Sequence, residues 1–197
     1  MNTQTHTSTD IDAIIVGAGF AGMYMLHRLR GLGLSVRVFE AGSGVGGTWY
    51  WNRYPGARCD GESFYYSYQF DDDLQQEWTW TERYATQPEI LSYANHVADR
   101  FDLRSDITFD TRVMEASFDD ASAVWSISTD TGEKVTSRFF VLAVGCLSST
   151  ITPQFEGMES FNGPIYHTGE WPQEGVDFAG LDVGVIGTGS SAVQAIP

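Results

Sequence analysis

Apolar residues in this chain come in short unbroken runs, set between helical stretches and loops. Asp12 to Val16 is such a run and reads as a buried parallel strand. From Phe20 to Leu32 the period lengthens: Met23, Leu26, His27, Leu29 and Arg30 fit an amphipathic helix closed by Gly31 and Gly33. Ser35 to Phe39 is a second strand and ends at Glu40. Pro88 opens a helix to about Leu103, with Ile90, Leu91, Ala94, Val97, Ala98 and Phe101 on one face, Thr86 as N-cap and His96 on the helix surface. Ile107 to Phe109, Thr111 to Phe118, Val124 to Thr129 and Lys134 to Val144 read as strands of a β-meander, with Asp130-Thr131-Gly132 as the last turn. Phe139 to Gly145 is apolar throughout, which returns that strand to the buried sheet. Leu181 to Ile186 predicts one more short strand, followed by a new helix. Asp71-Asp72-Asp73 reads as a solvated turn, since its spacing suits no calcium loop.

Strand, helix and strand in this order predict an α/β fold, and the turns between them carry chemistry. Gly17-Ala18-Gly19-Phe20-Ala21-Gly22 lies where the first strand becomes the first helix. Glycine there permits a tight turn, lets backbone approach a pyrophosphate, and packs helix on strand. The anion would sit on the helix N-terminus. Glu40, at the end of the second strand, would hydrogen-bond ribose hydroxyls and disfavour a 2′-phosphate. Gly187-Thr188-Gly189-Ser190-Ser191-Ala192 repeats the fingerprint, with alanine in the third glycine place. Val113 either offers backbone groups to an adenine or is simply a core residue.

Two stretches have no clear period. Gly42 to Asp60 is glycine-rich and then aromatic, and long loops of this kind are either functional or plain surface. Asp60 is either an ordinary turn carboxylate or a charge that positions a catalytic cation. Cys146 to Gly180 is a proline-bearing crossover and contains Phe161-Asn162-Gly163-Pro164-Ile165-Tyr166-His167-Thr168-Gly169-Glu170-Trp171-Pro172. Its place between two nucleotide units favours a hinge and hydrogen-bonding role for His167 over proton transfer. Trp171 is expected to anchor this segment by packing.

Composition narrows the partners. With 26 acids against 11 bases, the net charge is −15 and no Lys/Arg run occurs. Nucleic acid and anionic membrane are therefore not expected partners. Met1 to Asp10 is polar and reads as a floppy leader, with no signal peptide or membrane span. Cys59 and Cys146 form no CxxC pair, which points to a reducing, cytoplasmic setting and away from a zinc site or a dithiol redox centre.

Phe161-x-Gly163-x-x-x-His167-x-x-x-Trp171-Pro172, together with Gly47-x-Trp49 through Tyr54-Pro55-Gly56 to Asp60, resembles the signatures of the type I Baeyer–Villiger monooxygenases. The likeness is greatest to the phenylacetone and steroid monooxygenase branches, and it covers nearly all of the chain. It implies a Rossmann-like FAD-binding domain over residues 11–145 with an inserted β-meander. A fingerprint linker over 146–180 and the start of a Rossmann-like NADP-binding domain over 181–197 would follow, in the N-terminal portion of something longer. By the resemblance, FAD would be lined by Gly17, Gly19, Phe20, Gly22, Glu40, Thr48, Trp49, Tyr50, Trp51, Asp60, Tyr66 and Val113. NADPH would lie along Thr188, Gly189, Ser190, Ser191, Ala192, Val193 and Gln194, with Arg58, Cys59 and Asp60 toward the nicotinamide. Asp60 would be the catalytic position, tuning an arginine that lies later in the family's sequence. The implied partners are a ketone and O2, joined through a peroxyflavin to give an ester or lactone.

Flavin-containing N- and S-oxygenases share a similar fingerprint but typically lack its Trp-Pro ending. A pyridine-nucleotide disulfide-type reductase also uses two dinucleotide folds, and the missing CxxC pair weighs against it. An inactive FAD-holding fragment is the non-enzymatic alternative.

Overall fold

The computed structural model describes residues 9–197. The expected leader lies outside them except at its end, and there the expectation needs correcting. The Asp10 amide donates to Thr136 Oγ1, and Asp10 Oδ2 accepts from the Thr136 amide at 2.8 Å. Asp10 is thus held in place by another segment.

The described chain divides into two compact units, residues up to 47 with 94–145, and residues 48–93 with 146–197. The first unit is one sheet in the order β3-β2-β1-β6-β5-β4. Its strands are β1 (Ile11–Val16), β2 (Val36–Phe39), β3 (Ile107–Thr108), β4 (Val113–Asp119), β5 (Val124–Thr129) and β6 (Lys134–Leu142). The pairs β1–β2, β2–β3 and β1–β6 are parallel. The pairs β4–β5 and β5–β6 are antiparallel. Ala13, Ile14 and Ile15 of the central β1 are fully buried, as an unbroken apolar run between parallel neighbours requires.

One feature of the sheet departs from the sequence reading. β3 is not part of the meander; it extends the parallel edge beside β2. β6 returns to the buried sheet as its apolar run predicts: it pairs with β5 over Lys134 to Ser137 and with β1 over Ser137 to Leu142. Helix α1 (Phe20–Gly31) buries Gly22, Met23 and Leu26. Ile14, Phe39, Ile127 and Val135 form a buried cluster, against which Ile11, Val113, Ala116, Trp125 and Phe140 pack.

The second unit has little regular structure. Helix α2 (Thr48–Trp51) is a single turn, α3 is Asp72–Glu77 and α5 is Ser190–Ala195; α4 (Gln87–Arg100) spans the division between the units. Trp78, Trp80 and Tyr93 pack ring to ring, and the Tyr93 hydroxyl accepts from the Tyr68 amide at 2.8 Å. His96 is half-buried rather than on the helix surface.

Leu181 to Ile186 is not a strand. Leu181, Val183, Val185 and Ile186 are exposed, Ile186 at 80%. A strand exists through its pairing, and no described strand lies beside this run. The acidic run is also more than a solvated turn: Asp71 caps α3, its side chain accepting from the Leu74 amide at 2.8 Å. Replacing Asp71 with alanine is expected to cost about 1 kcal/mol of stability. Asp73→Ala should cost less; denaturant unfolding of the two variants measures the difference.

Candidate functional site

In the first unit the glycine turn is built by close backbone approach. Gly17 has φ +100°, and a Cβ there would fall 2.6 Å from the Ala143 carbonyl oxygen. A Cβ on Gly22 would fall 1.8 Å from the Gly17 carbonyl oxygen. Gly19 is the N-cap of α1 and brings no side-chain cap. It also lies so near Gly47 that a Cβ on Gly47 would come within 2.9 Å of its Cα. The turn is therefore bare backbone at a helix start, a surface that suits a pyrophosphate.

Glu40 stands behind this turn and is only 5% exposed. Its Oε2 accepts from the Ala18 amide at 2.7 Å, and its Oε1 from the Gly42 amide at 2.8 Å. Its own amide donates to the Thr108 carbonyl and its carbonyl accepts from the Thr111 amide, both at 2.9 Å. A carboxylate has about four acceptor sites, so one amide on each oxygen leaves each with a further acceptor site. Sequence reasoning missed the amides of Ala18 and Gly42 as partners of Glu40; only their position beside the glycine turn could have suggested them. Phe20 opens α1, and Val113 is a half-buried member of the sheet cluster beside an irregularity in the β4–β5 register.

In the second unit Thr48, Trp49, Tyr50 and Trp51 form α2. Trp49 is buried and meets Tyr66 edge-on at 5.5 Å; Tyr50 meets Trp51 at 4.9 Å. Burial pushes the Tyr66 hydroxyl pKa up. Gln87 donates through Nε2 to the Trp49 carbonyl, a link the sequence did not reveal. Arg58, Cys59 and Asp60 follow on a segment tied to residues 85–87 by backbone bonds: the Cys59 amide donates to Ala85 and the Gln87 amide to Ala57. Arg58 pairs with Glu82 at 3.2 Å. Cys59 is buried, and burial raises its thiol pKa above the usual value.

The second glycine motif is exposed from Thr188 through Ser190, with Ser191 half-buried, Ala192 buried and Val193 67% exposed. Gln194, just after that motif, reaches the aromatic loop, where it meets Tyr54, Arg58 and Asp60. Tyr54 belongs to the second signature, and its partner lies 140 residues away in sequence. In the fingerprint segment His167 Nδ1 accepts from the Gly169 amide at 3.1 Å and closes a short turn. Trp171 packs between Tyr166 and Phe178 at 5.5 and 5.9 Å, while Phe161 is 62% exposed. A Cβ on Gly163 would meet the Phe161 ring at 2.7 Å, and Pro172 is half-buried. Among the described residues no helix is long and apolar enough to cross a membrane.

Two variants test this geometry. Glu40→Gln places an amide donor against the Ala18 or Gly42 N–H, and should cost about 1–3 kcal/mol in denaturant unfolding. At neutral pH iodoacetamide should modify exposed Cys146 before buried, protonated Cys59, as read by peptide mass spectrometry.

The sequence profile of the pyridine nucleotide-disulphide oxidoreductase family matches residues 14–196. A Baeyer–Villiger monooxygenase of Pseudooceanicola batsensis is 50% identical over 201 aligned residues, covering 100% of this chain and 37% of that protein. A phenazine N-monooxygenase of Lysobacter antibioticus is 52% identical, over 99% of this chain and 35% of its own length. Among solved structures, an oxidized steroid monooxygenase bound to NADP superposes with a TM-score of 0.90 at 61% identity, over 95% of this chain and 36% of that one. The chain thus spans just over a third of each relative. Its two cysteines form no CxxC pair, and all three of these relatives are named as monooxygenases. The chain belongs to the pyridine nucleotide-disulphide oxidoreductase family and resembles its type I Baeyer–Villiger monooxygenases over nearly its whole length.

Proposed function

We propose that this chain is the FAD-binding part, with the beginning of the NADP-binding part, of a Baeyer–Villiger monooxygenase. The protein would insert one atom of O2 beside a ketone carbonyl to give an ester or lactone, with the other atom leaving as water. The carrying observation is the match to a Baeyer–Villiger monooxygenase over all of this chain, joined to a bare glycine turn backed by Glu40.

The bare glycine turn backed by Glu40 and the second glycine motif support a reading with two nucleotides. FAD, when bound, supplies the electron transfer and oxygen activation. The turn from Gly17 to Gly22 would take its pyrophosphate on backbone amides, and the open lone pairs of Glu40 would take its ribose hydroxyls. Thr48, Trp49, Tyr50, Trp51, Tyr66 and Val113 would line its flat parts. The second glycine motif, Thr188 to Val193, would hold NADPH, with Arg58 and Cys59 toward its nicotinamide. The Cys59 thiol stays protonated and contributes shape rather than redox chemistry. Asp60 would orient a cationic side chain toward the reacting carbonyl. Phe161, Gly163, His167, Trp171 and Pro172 would act as a crossover whose turn is fixed by the His167 ring, with no proton moved there.

The phenazine N-monooxygenase at 52% identity specifically favours a second reading, oxygenation of a nitrogen centre. Isotope labelling separates the two. The intact protein, supplied with FAD, NADPH, 18O2 and a panel of cyclic and aryl ketones, should yield esters carrying one heavy oxygen by mass spectrometry. N-oxides or sulfoxides from amines and sulfides, with no ester from any ketone, would overturn the ketone reading.

A further inference from the structure

Gln194 sits in the last turn of α5, yet its side chain does not point to solvent or to the glycine motif. Oε1 accepts from the Tyr54 hydroxyl at 2.7 Å and from the Arg58 amide at 3.2 Å. Nε2 donates to the Arg58 carbonyl at 3.1 Å and to Asp60 Oδ1 at 3.0 Å. A primary amide has two acceptor sites and two donor hydrogens, so all four are in use. Both main-chain polar groups of Arg58 are bonded to this one amide, as an added strand would bond them. The backbone is fitted as closely as the side chain. A Cβ on Gly56 would fall 2.0 Å from the Gln194 carbonyl oxygen, where only glycine at φ +73° leaves room.

This arrangement leaves the Gln194 side chain no capacity for a nucleotide. The geometry points to a different role: Gln194 is a positioning residue that clamps the loop from Tyr54 to Asp60 to α5 and fixes the direction of the Asp60 carboxylate. The importance of that direction rests on the oxygenase reading above; the clamp itself does not. Asp60 is exposed, and its hydrogen bond to Gln194 couples its rotamer to the chain on either side of Arg58. Without that bond, an exposed aspartate samples several rotamers. A carboxylate that must hold a cation in one place then does so only part of the time.

The test has two arms on the intact protein. In the first, hydrogen–deuterium exchange is followed by mass spectrometry on peptides covering residues 54–60. Gln194→Ala should speed exchange of the Arg58 amide on the order of tenfold, because its acceptor, Gln194 Oε1, is gone. Gln194→Glu keeps the size and removes both donors, and should loosen the same peptide in a chain whose thermal midpoint stays close to the parent's. Unchanged exchange in both variants overturns the clamp. In the second arm, NADP+ affinity by equilibrium titration and kcat for oxygenation are measured for Gln194→Ala, Asp60→Ala and the double variant. Acting through Asp60, Gln194→Ala lowers kcat in the parent but adds little in the Asp60→Ala background, and the NADP+ Kd moves less than about twofold in either. An equal rise in Kd in both backgrounds would make Gln194 a nucleotide ligand and overturn the proposal. Faster exchange in a protein that oxygenates no ketone would sink the functional reading and leave the clamp standing.

Discussion

The first unit depends on one buried carboxylate. Glu40 ties four neighbouring pieces of backbone: its carboxylate holds the glycine turn through Ala18 and the loop after β2 through Gly42, while its main-chain carbonyl and amide hold the approach to β4 through Thr111 and β3 through Thr108. A charge at 5% exposure is tolerable only when its oxygens are met by donors, and here two main-chain amides meet them. The bond to Ala18 fixes the glycine turn against the end of β2. A turn made of bare amides has no side chains of its own to hold its shape, so a second strand must do so. The acid that reads from sequence as a ribose ligand is thus also the structural support of the glycine turn.

β6 shows how the sheet carries this arrangement. Its first half belongs to an antiparallel meander and its second half to the parallel centre, with Ser137 shared by both ladders and wholly buried. The Ser137 hydroxyl bonds the Phe139 carbonyl at 2.9 Å, which satisfies a polar group that has no access to water. The meander therefore does not hang from the sheet as a separate layer. It feeds the strand whose continuation at Ala143 closes over Gly17.

Much of this was legible in the residues. The strand before Gly17, the helix after it, the second strand ending at Glu40 and the span Val124 to Thr129 all follow from period and spacing, because local pattern decides them. What escaped detection depends on partners distant in sequence. The run from Leu181 to Ile186 has strand composition but no described neighbour to pair with, and composition cannot supply one. β3 is legible as a strand at Ile107, but its place beside β2 rather than in the meander depends on that partner. Asp71 looked like one of three solvated acids because capping is a property of position at a helix start, not of charge.

Gln194 is the sharpest case of the same limit. The family resemblance counts it with the nucleotide residues, two positions beyond the second glycine fingerprint. Its four bonds all run to residues more than a hundred positions earlier. The loop it meets has almost no regular structure, so hydrogen bonds from outside must replace the ladders that a strand or helix would provide. Arg58 lies between an isolated bridge to Thr86 and the amide of Gln194. An irregular loop that carries an aspartate in a set direction needs such bonds on both sides, and a motif helix is well suited to provide one because its own backbone is already fixed.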